Sequence, residues 1–152
     1  MTSGDLAAGA RELISIRVGD QMFALDIMTV REIRGWTAST PLPHAPSYVL
    51  GMINLRGAVL PVLDLSGRLG LAPRTPDASS VVVVAELAGR PVGLLVDAVC
   101  DILTVDAAQV QAAPDLGGHP DADFVRGVIT LDTEIVTLLD LEGALPETAM
   151  AA

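Results

Sequence analysis

The 152-residue chain contains no lysine, one cysteine and only 3% aromatic residues. Its 9 basic residues are all arginines scattered singly, and 19 acidic residues bring the formal net charge to −10. Nucleic acid binding needs clustered cations that displace counterions from phosphates, so this charge pattern argues against a nucleic acid partner. Direct binding to an anionic membrane surface is disfavoured for the same reason.

Long apolar runs are missing too. The longest, Val81 to Ala85, is far shorter than the roughly 20 residues that span a bilayer. The amino terminus lacks the basic start and the apolar stretch of a signal peptide. Cys100, the single cysteine, forms no internal disulfide, which suits a reducing compartment. These absences predict a cytoplasmic protein.

Aliphatic residues are plentiful, and they recur in a pattern. Residues 51–69 (GMINLRGAVLPVLDLSGRL) align without a gap with residues 127–145 (GVITLDTEIVTLLDLEGAL), including Gly51 with Gly127 and Asp64 with Asp140. Upstream, residues 18–33 align with 87–102 in the same order. The chain therefore contains one unit used twice, and this repeat must guide the interpretation of the fold.

Strand signals dominate both copies of the repeat. Apolar residues alternate on either side of a Gly19-Asp20 turn, and the second copy repeats this hairpin around residues 88–90. The run Val81–Val84 does not alternate, which predicts a strand covered on both faces. The stretches Met28 to Ile33 and Ala98 to Leu103 fit either a helical turn or a bent strand.

Short, evenly spaced strands favour an all-β fold of two similar small barrels packed on one another. Asp64 and Asp140 are predicted to cap short helices. We expect flexible tails at 1–11 and 146–152, a first half at 12–69, a linker at 70–80 rich in proline and small polar residues, and a second half at 81–145.

The chain offers no catalytic, metal-binding or cofactor-binding set. Its histidines lie singly in loops without a cysteine partner, its cysteine has no neighbouring histidine, and its paired carboxylates favour solvated or capping roles. No glycine pattern lies between a strand and a long helix, so a phosphate-binding loop is not predicted. The residues considered are His44, His119, Cys100, Asp97 with Asp101, and Asp121 with Asp123.

One charged residue inside an apolar segment needs an explanation. Arg56 lies in the middle of the repeated block, where its counterpart is Asp132, and Glu32 is its best carboxylate partner in the same half. An unpaired buried charge is costly, so the two are expected to pair. The pair serves either as a structural salt bridge that closes the first barrel, or as an exposed site where the guanidinium binds a partner's carboxylate or backbone. These two interpretations are compatible.

The segment VREIRGWTASTPLPHAPSYVLGMINLRGAVLPVLDL, residues 30–65, closely resembles the signature region of the CheW family of bacterial chemotaxis coupling proteins. The second half resembles the family as well, so the likeness extends from about residue 12 to residue 145. It implies two five-stranded SH3-like barrels related by a pseudo-two-fold axis, with short helices and a shared hydrophobic core. It also implies a non-enzymatic adaptor that needs no cofactor.

The resemblance further implies partners and positions. Family members link the cytoplasmic tip of chemoreceptors to the regulatory domain of the histidine kinase CheA, in membrane-associated arrays where further CheW copies join rings. In the family the receptor tip lies in the groove between the two barrels. Glu32 and Arg56 match the family's paired charges, and Val30, Ile33 and Val59 match apolar positions near that groove. The candidates in the second half are Val96, Val99 and Ile102.

Other functions stay open at this point. A small barrel that binds an apolar ligand between its halves would show a closed cavity with convergent polar groups. A CheW-like adaptor of a pathway other than motility would share all the features above. An enzyme is the weakest alternative, because no nucleophile–base pair stands out.

Overall fold

The computed structural model describes residues 10–72, 75–112, 125–131 and 133–141. The first strands are β1 (Ala10–Val18), β2 (Gln21–Asp26), β3 (Val30–Gly35), β4 (Val49–Leu55) and β5 (Ala58–Asp64). A one-turn helix, α1 (Leu65–Arg68), precedes β6 (Val81–Leu87), β7 (Arg90–Val96), β8 (Ala98–Asp106), β9 (Val110–Gln111), β10 (Val125–Leu131) and β11 (Glu134–Leu139). Single 3-10 turns lie at Ile27–Thr29 and Ala107–Gln109. The predicted all-β class is confirmed, and the predicted hairpin turns lie where β1 meets β2 and where β6 meets β7.

The strands form two sheets. Sheet A has the order β8-β1-β2-β11-β10-β9, and sheet B has the order β3-β6-β7-β5-β4. Chain neighbours pair antiparallel, whereas β2 with β11 and β5 with β7 pair parallel. Five strands were expected in each barrel. Sheet A has a sixth because the two-residue strand β9 pairs with β10, while sheet B has only an isolated bridge, Thr40 to Met52, at the equivalent place.

The sheets do not coincide with the two copies of the repeat. Sheet A combines the β1–β2 hairpin of the first copy with strands β8 to β11 of the second, and sheet B combines β3 to β5 with the β6–β7 hairpin. Each sheet therefore takes its hairpin from one copy and its remaining strands from the other. The boundaries expected for the two halves describe the repeat in the sequence and stay a prediction.

The chain crosses between the sheets at aligned positions of the repeat. The first crossing is the 3-10 turn Ile27–Thr29, where the Asp26 side chain accepts a hydrogen bond from the Met28 N–H at 2.9 Å. The second crossing is Asp97, whose carboxylate accepts a hydrogen bond from the Gly19 N–H at 2.5 Å. The ambiguity in the sequence thus resolves as a helical turn followed by a strand in the first copy, and as a bulged strand in the second.

Each sheet curls around an apolar interior of its own, which gives the two barrels. Residues from the strands at both edges of a sheet meet in one cluster, and this requires the sheet to bend onto itself. The interior of sheet A consists of Leu13, Ala24, Val105, Ile129, Val136 and Leu138, with Val110 of β9 packed against it. The interior of sheet B consists of Leu55, Leu60, Val82, Val84 and Leu95, with Trp36 packed against it.

A larger shared core joins the two barrels. It lies between the outer faces of β1 and β2 on one side and of β6 and β7 on the other, so the central strands are buried on both faces. In β6, Val82 and Val84 face the interior of sheet B, whereas Val83 and Ala85 face the shared core. This confirms both the predicted shared core and the strand covered on both faces.

The end of β5 differs from what the sequence suggested. Asp64 occupies the N-cap position of α1, but its side chain makes no capping hydrogen bond to the helix. It accepts a hydrogen bond from the Ser66 hydroxyl at 2.7 Å instead. The corresponding helix after Asp140, the linker residues 73–74 and most of both tails lie outside the described residues.

The repeated glycines mark a close approach of the backbone. Gly51 has a φ of +150°, and a Cβ built there would overlap the backbone carbonyl oxygen of Thr40. At the aligned Gly127, a Cβ would lie 2.6 Å from the Gln111 carbonyl oxygen. In each barrel a short segment therefore crosses tightly over the edge of the sheet, which accounts for the glycine in both copies of the repeat.

We expect Gly51→Ala to lower the free energy of unfolding by about 1–3 kcal/mol, because φ is strained and the Thr40 segment must shift. Gly35→Ala is the matched control, since no atom lies within 4 Å of a Cβ at that site. Urea unfolding followed by circular dichroism measures both. Equal stability of the two variants would contradict the close approach.

Candidate functional site

Strand β3 lies at one edge of sheet B and presents two different faces. Glu32 pairs with Val84 and Ile33 with Val83, so successive side chains point to the sheet B interior and to the shared core in turn. A β-bulge between Val30 and Glu32 places Val30 on the shared-core face as well. A partner that lies along this edge therefore meets charges on one side and apolar side chains on the other.

The β4–β5 hairpin carries Arg56 at its tip. Arg56 (φ 53°) and Gly57 (φ 88°) are the two central residues of the turn, both in the left-handed region. Two successive positive φ values define a type I′ turn, for which Asn-Gly is the preferred pair. The Asn54 side chain accepts a hydrogen bond from the Gly57 N–H at 2.9 Å and supports the turn. An arginine at this position is unfavourable for the backbone, which points to a role for its side chain.

Glu32 binds two arginines. Its Oε1 accepts a hydrogen bond from Arg56 Nη2, and its Oε2 lies 3.4 Å from Arg34 Nη1. Because β3 and β4 are opposite edges of sheet B, the contact between Glu32 and Arg56 bridges the open side of this barrel. The predicted pair is thus present, and we call Glu32, Arg34 and Arg56 the charged triad.

The electrostatics follow from these contacts. The hydrogen bond from Arg56 lowers the pKa of Glu32 below its usual 4.5, with a further lowering by Arg34. The same contact raises the pKa of Arg56. The Arg56 side chain is nevertheless 70% exposed, so the pair lies at the surface, where an ion pair contributes little to stability. The geometry is compatible with both a structural salt bridge and a binding site, and the exposure of the Arg56 side chain favours the binding site.

Two of the three apolar residues predicted in the first half are exposed. Ile33 is 46% exposed and Val59, three residues beyond Arg56, is 62% exposed, although both are large aliphatic side chains. Val30 is half-buried and packs against the shared core. Exposed aliphatic side chains next to charges are the usual composition of an interaction surface.

The residues predicted in the second half divide into two groups. Val96 is only 3% exposed and belongs to the shared core, so its side chain is not presented to a partner. Its position at the end of a central strand explains this, since such strands are covered on both faces. Val99 packs on the edge of the shared core, and Ile102 is exposed on β8.

Strand β8 in sheet A is the counterpart of β3. It is also an edge strand, and its pairing with β1 shifts register between Ile14 and Ile16. The buried Ser15 hydroxyl stabilises this bulge, donating to the Asp101 carbonyl at 3.2 Å and accepting from the Asp101 N–H at 2.9 Å. The two barrels thus present equivalent edges, but where sheet B has Glu32, sheet A has Asp101.

A cleft of about 240 Å³ opens at the junction of the two sheets. Its floor is apolar, and Arg126 and Asp140 lie at its rim, where Arg126 Nε donates to Asp140 Oδ2 at 2.8 Å. The exposed Arg126 side chain shows that the cleft is open to solvent on this side. An open groove between the two barrels is what the family resemblance implies, but its lining was not predicted. The lining comes from strands distant in the chain and includes Leu25, Ala85, Leu87, Leu94, Leu138 and Leu139.

The other candidates for chemistry do not assemble into a site. His44 and Cys100 are exposed, and the described part of the chain contains no group of three metal-binding side chains. The carboxylate of Asp97 serves the crossing between sheets. His119, Asp121, Asp123 and Asp132 lie outside the described residues. None of the helices in the described segments has the length and apolar character that a membrane crossing requires.

The chain is similar to a known protein family, to individual proteins and to a solved structure. Residues 12–149 match the model of the CheW-like domain family. The chain is 52% identical to the chemotaxis protein CheW of Rhizobium meliloti over 141 residues, which are 93% of this chain and 91% of the relative. It is 50% identical to the probable chemotaxis protein CheW of Rhizobium etli over 147 residues, or 97% and 95% of the two chains. Among solved structures, the scaffolding protein TtCheW of Thermoanaerobacter tengcongensis superposes with a TM-score of 0.81 at 28% identity, over 88% of this chain and 91% of that one.

The Arg56→Asn variant separates the contribution of the turn backbone to stability from the contribution of the ion pair. Because Asn-Gly suits a type I′ turn better than Arg-Gly, we expect Arg56→Asn to leave the urea midpoint at pH 7 unchanged or to raise it. A clear fall in the midpoint would show that the pair is mainly structural.

The ion pair also determines how the stability difference between wild type and Arg56→Asn depends on pH. The pKa of Glu32 is lowered in the folded state, so any stabilisation by the pair is present above the unfolded value near 4.5 and is lost as the pH falls through the lower folded value. Whatever part of the difference between wild type and Arg56→Asn comes from the pair should therefore vanish in acid.

Proposed function

Because this chain belongs to the CheW-like family of chemotaxis adaptors, we propose that it couples chemoreceptors to the histidine kinase CheA in signalling arrays. It acts without catalysis, by holding two proteins in a fixed relation. In this proposal its partners are the cytoplasmic tip of the receptors and the regulatory domain of the kinase, with further copies of the adaptor in rings. Recruitment to the membrane is indirect and follows from the receptors.

The observation that carries the proposal is the conformation of Arg56. An arginine in the left-handed region is unfavourable for a hairpin, yet its guanidinium is exposed and oriented by Glu32. The backbone arrangement does not itself require this residue, since the Ala88-Gly89 turn of sheet B has the same two positive φ values with a small side chain. A guanidinium fixed in this way is prepared to bind a carboxylate or a backbone carbonyl of another protein.

The apolar side of the β3 edge supplies the second part of the contact. Val30 and Ile33 extend the surface of the shared core to the solvent, and Val59 adds a further exposed aliphatic side chain beside Arg56. An α-helix of the receptor tip fits such a surface through apolar side chains spaced three and four residues apart. Interfaces of modest area are commonly dominated by a few such anchors.

The equivalent edge of sheet A gives the adaptor a second surface. Val99 and Ile102 hold the positions of Val30 and Ile33 on a strand with the same bulge. An adaptor needs two separate contacts in order to link two proteins, and the repeat gives each sheet an equivalent edge strand. The cleft between the sheets is open to solvent and is lined by charged as well as apolar side chains, which favours protein binding over the binding of a small apolar ligand.

The central test reverses the charge at the hairpin tip. We expect Arg56→Asp to fold normally by circular dichroism and to abolish co-sedimentation of kinase with receptor-containing membranes, because it places two carboxylates together and removes the donor. Arg17→Asp, an exposed change of the same charge on sheet A, is the matched control and should couple normally. Normal coupling by Arg56→Asp would refute the assignment of the site.

Because Ile33 is exposed and Val96 is buried, we expect substitutions at these two positions to have opposite effects on coupling and on stability. Ile33→Ser should weaken coupling and lower the stability less than a substitution in the core does, since Ile33 is already 46% exposed. Val96→Ala should lower the free energy of unfolding by about 2 kcal/mol, because it removes buried methyl groups from the shared core. The folded Val96→Ala protein should still couple at low temperature. Loss of coupling without loss of stability would contradict its position in the core.

A further inference from the structure

Glu32 is the one carboxylate of the triad, and its two oxygens contact two different cations. Oε1 faces Arg56 across the barrel opening, and Oε2 faces Arg34, two residues along the same strand. The contact with Arg34 is the looser one, at 3.4 Å. Within a chain of net charge −10, the triad itself carries a net charge of +1.

The remaining arginine of this strand is engaged elsewhere. Arg31 donates to Glu86 at 2.5 Å in a separate cross-strand pair. The triad therefore has one arginine more than it has carboxylates. The more exposed of Arg34 and Arg56 is the one that can contact a partner protein. The Arg56 side chain is far more exposed than that of Arg34.

The fold does not require a cation at position 34. Continuing the alignment of the repeat by one step places Leu103 opposite Arg34, and Leu103 packs against the apolar interior of sheet A. Arg34 is likewise paired with Val82, an interior residue of sheet B. An aliphatic residue thus suits this position on the strand, so packing in the barrel does not explain the guanidinium of Arg34.

We propose that Arg34 is a positioning residue that keeps Glu32 neutralised when Arg56 binds an acidic side chain of the partner protein; this rests on the proposed function. Binding covers the triad and removes water from it. If Arg56 turned to a partner's carboxylate and Glu32 had no second cation, a charge would be buried without compensation, which is strongly unfavourable. Arg34 already lies beside Oε2 and prevents this. An acidic partner segment at the point of contact is what the net charge of +1 on the triad favours.

The inference is tested with a double-mutant cycle between Arg34 and Glu32. The affinity of the full-length chain is measured separately for purified kinase and for receptor-containing vesicles, so that the partner that contacts the triad is identified. We expect Arg34→Gln to weaken binding to one of the two on the order of tenfold, and Arg34→Lys to restore most of it. In a Glu32→Gln background, Arg34→Gln should cost nothing, because no carboxylate is left to neutralise.

A pH series adds a readout that a packing role would not change. The affinity of Arg34→Gln should recover as the pH is lowered toward 5, since Glu32 can then be protonated in the complex, whereas wild type should change less. Arg34→Gln binding like wild type would overturn the inference, as would a loss that persists in the Glu32→Gln background. If wild type binds neither kinase nor receptor vesicles, the proposed function itself fails, and this outcome is distinct from the other two.

Discussion

Burial of β1, β2, β6 and β7 on both faces holds this molecule together. Each hairpin contributes one face to the interior of its own barrel and the other face to the core between the barrels. Since the hairpins are exchanged between the two copies of the repeat, neither copy can form a barrel alone. The relative position of the two sheets is therefore fixed by the same contacts that form them, and an adaptor with two binding edges needs such a rigid body.

The two edges that we propose as binding surfaces are a consequence of this core. A sheet wider than the surface it covers leaves its outermost strand partly unsupported, and β3 and β8 are the strands in that position. Aliphatic residues that face the shared core from these strands are only partly covered, as Ile33 and Ile102 show. The β-bulge in each strand turns neighbouring side chains outward. The strands β3 and β8 share their backbone geometry and differ in their charged residues, so one fold presents two different surfaces.

Much of the fold follows from the sequence because its signals are local. Alternation, turn residues and the repeat predicted the hairpins, the all-β class and the strand covered on both faces, and the charged residue inside an apolar block led to the pair of Arg56 with Glu32. The exchange of hairpins between copies did not follow, because a repeat specifies which strands are alike and not which of them pair. The lining of the cleft depends on residues brought together from separate strands, so no spacing along the chain reveals it.

The sequence by itself therefore determined the identity of the building unit, its strands and turns, and the residue types available at its surface, since these depend on neighbours within a few positions. Only the tertiary structure decided which residues are exposed. Val96 and Ile33 are both aliphatic residues near strand ends, yet one lies in the shared core and the other at a free edge. The physical reason is that burial depends on strand order, and strand order is set by long-range packing that a linear pattern does not contain.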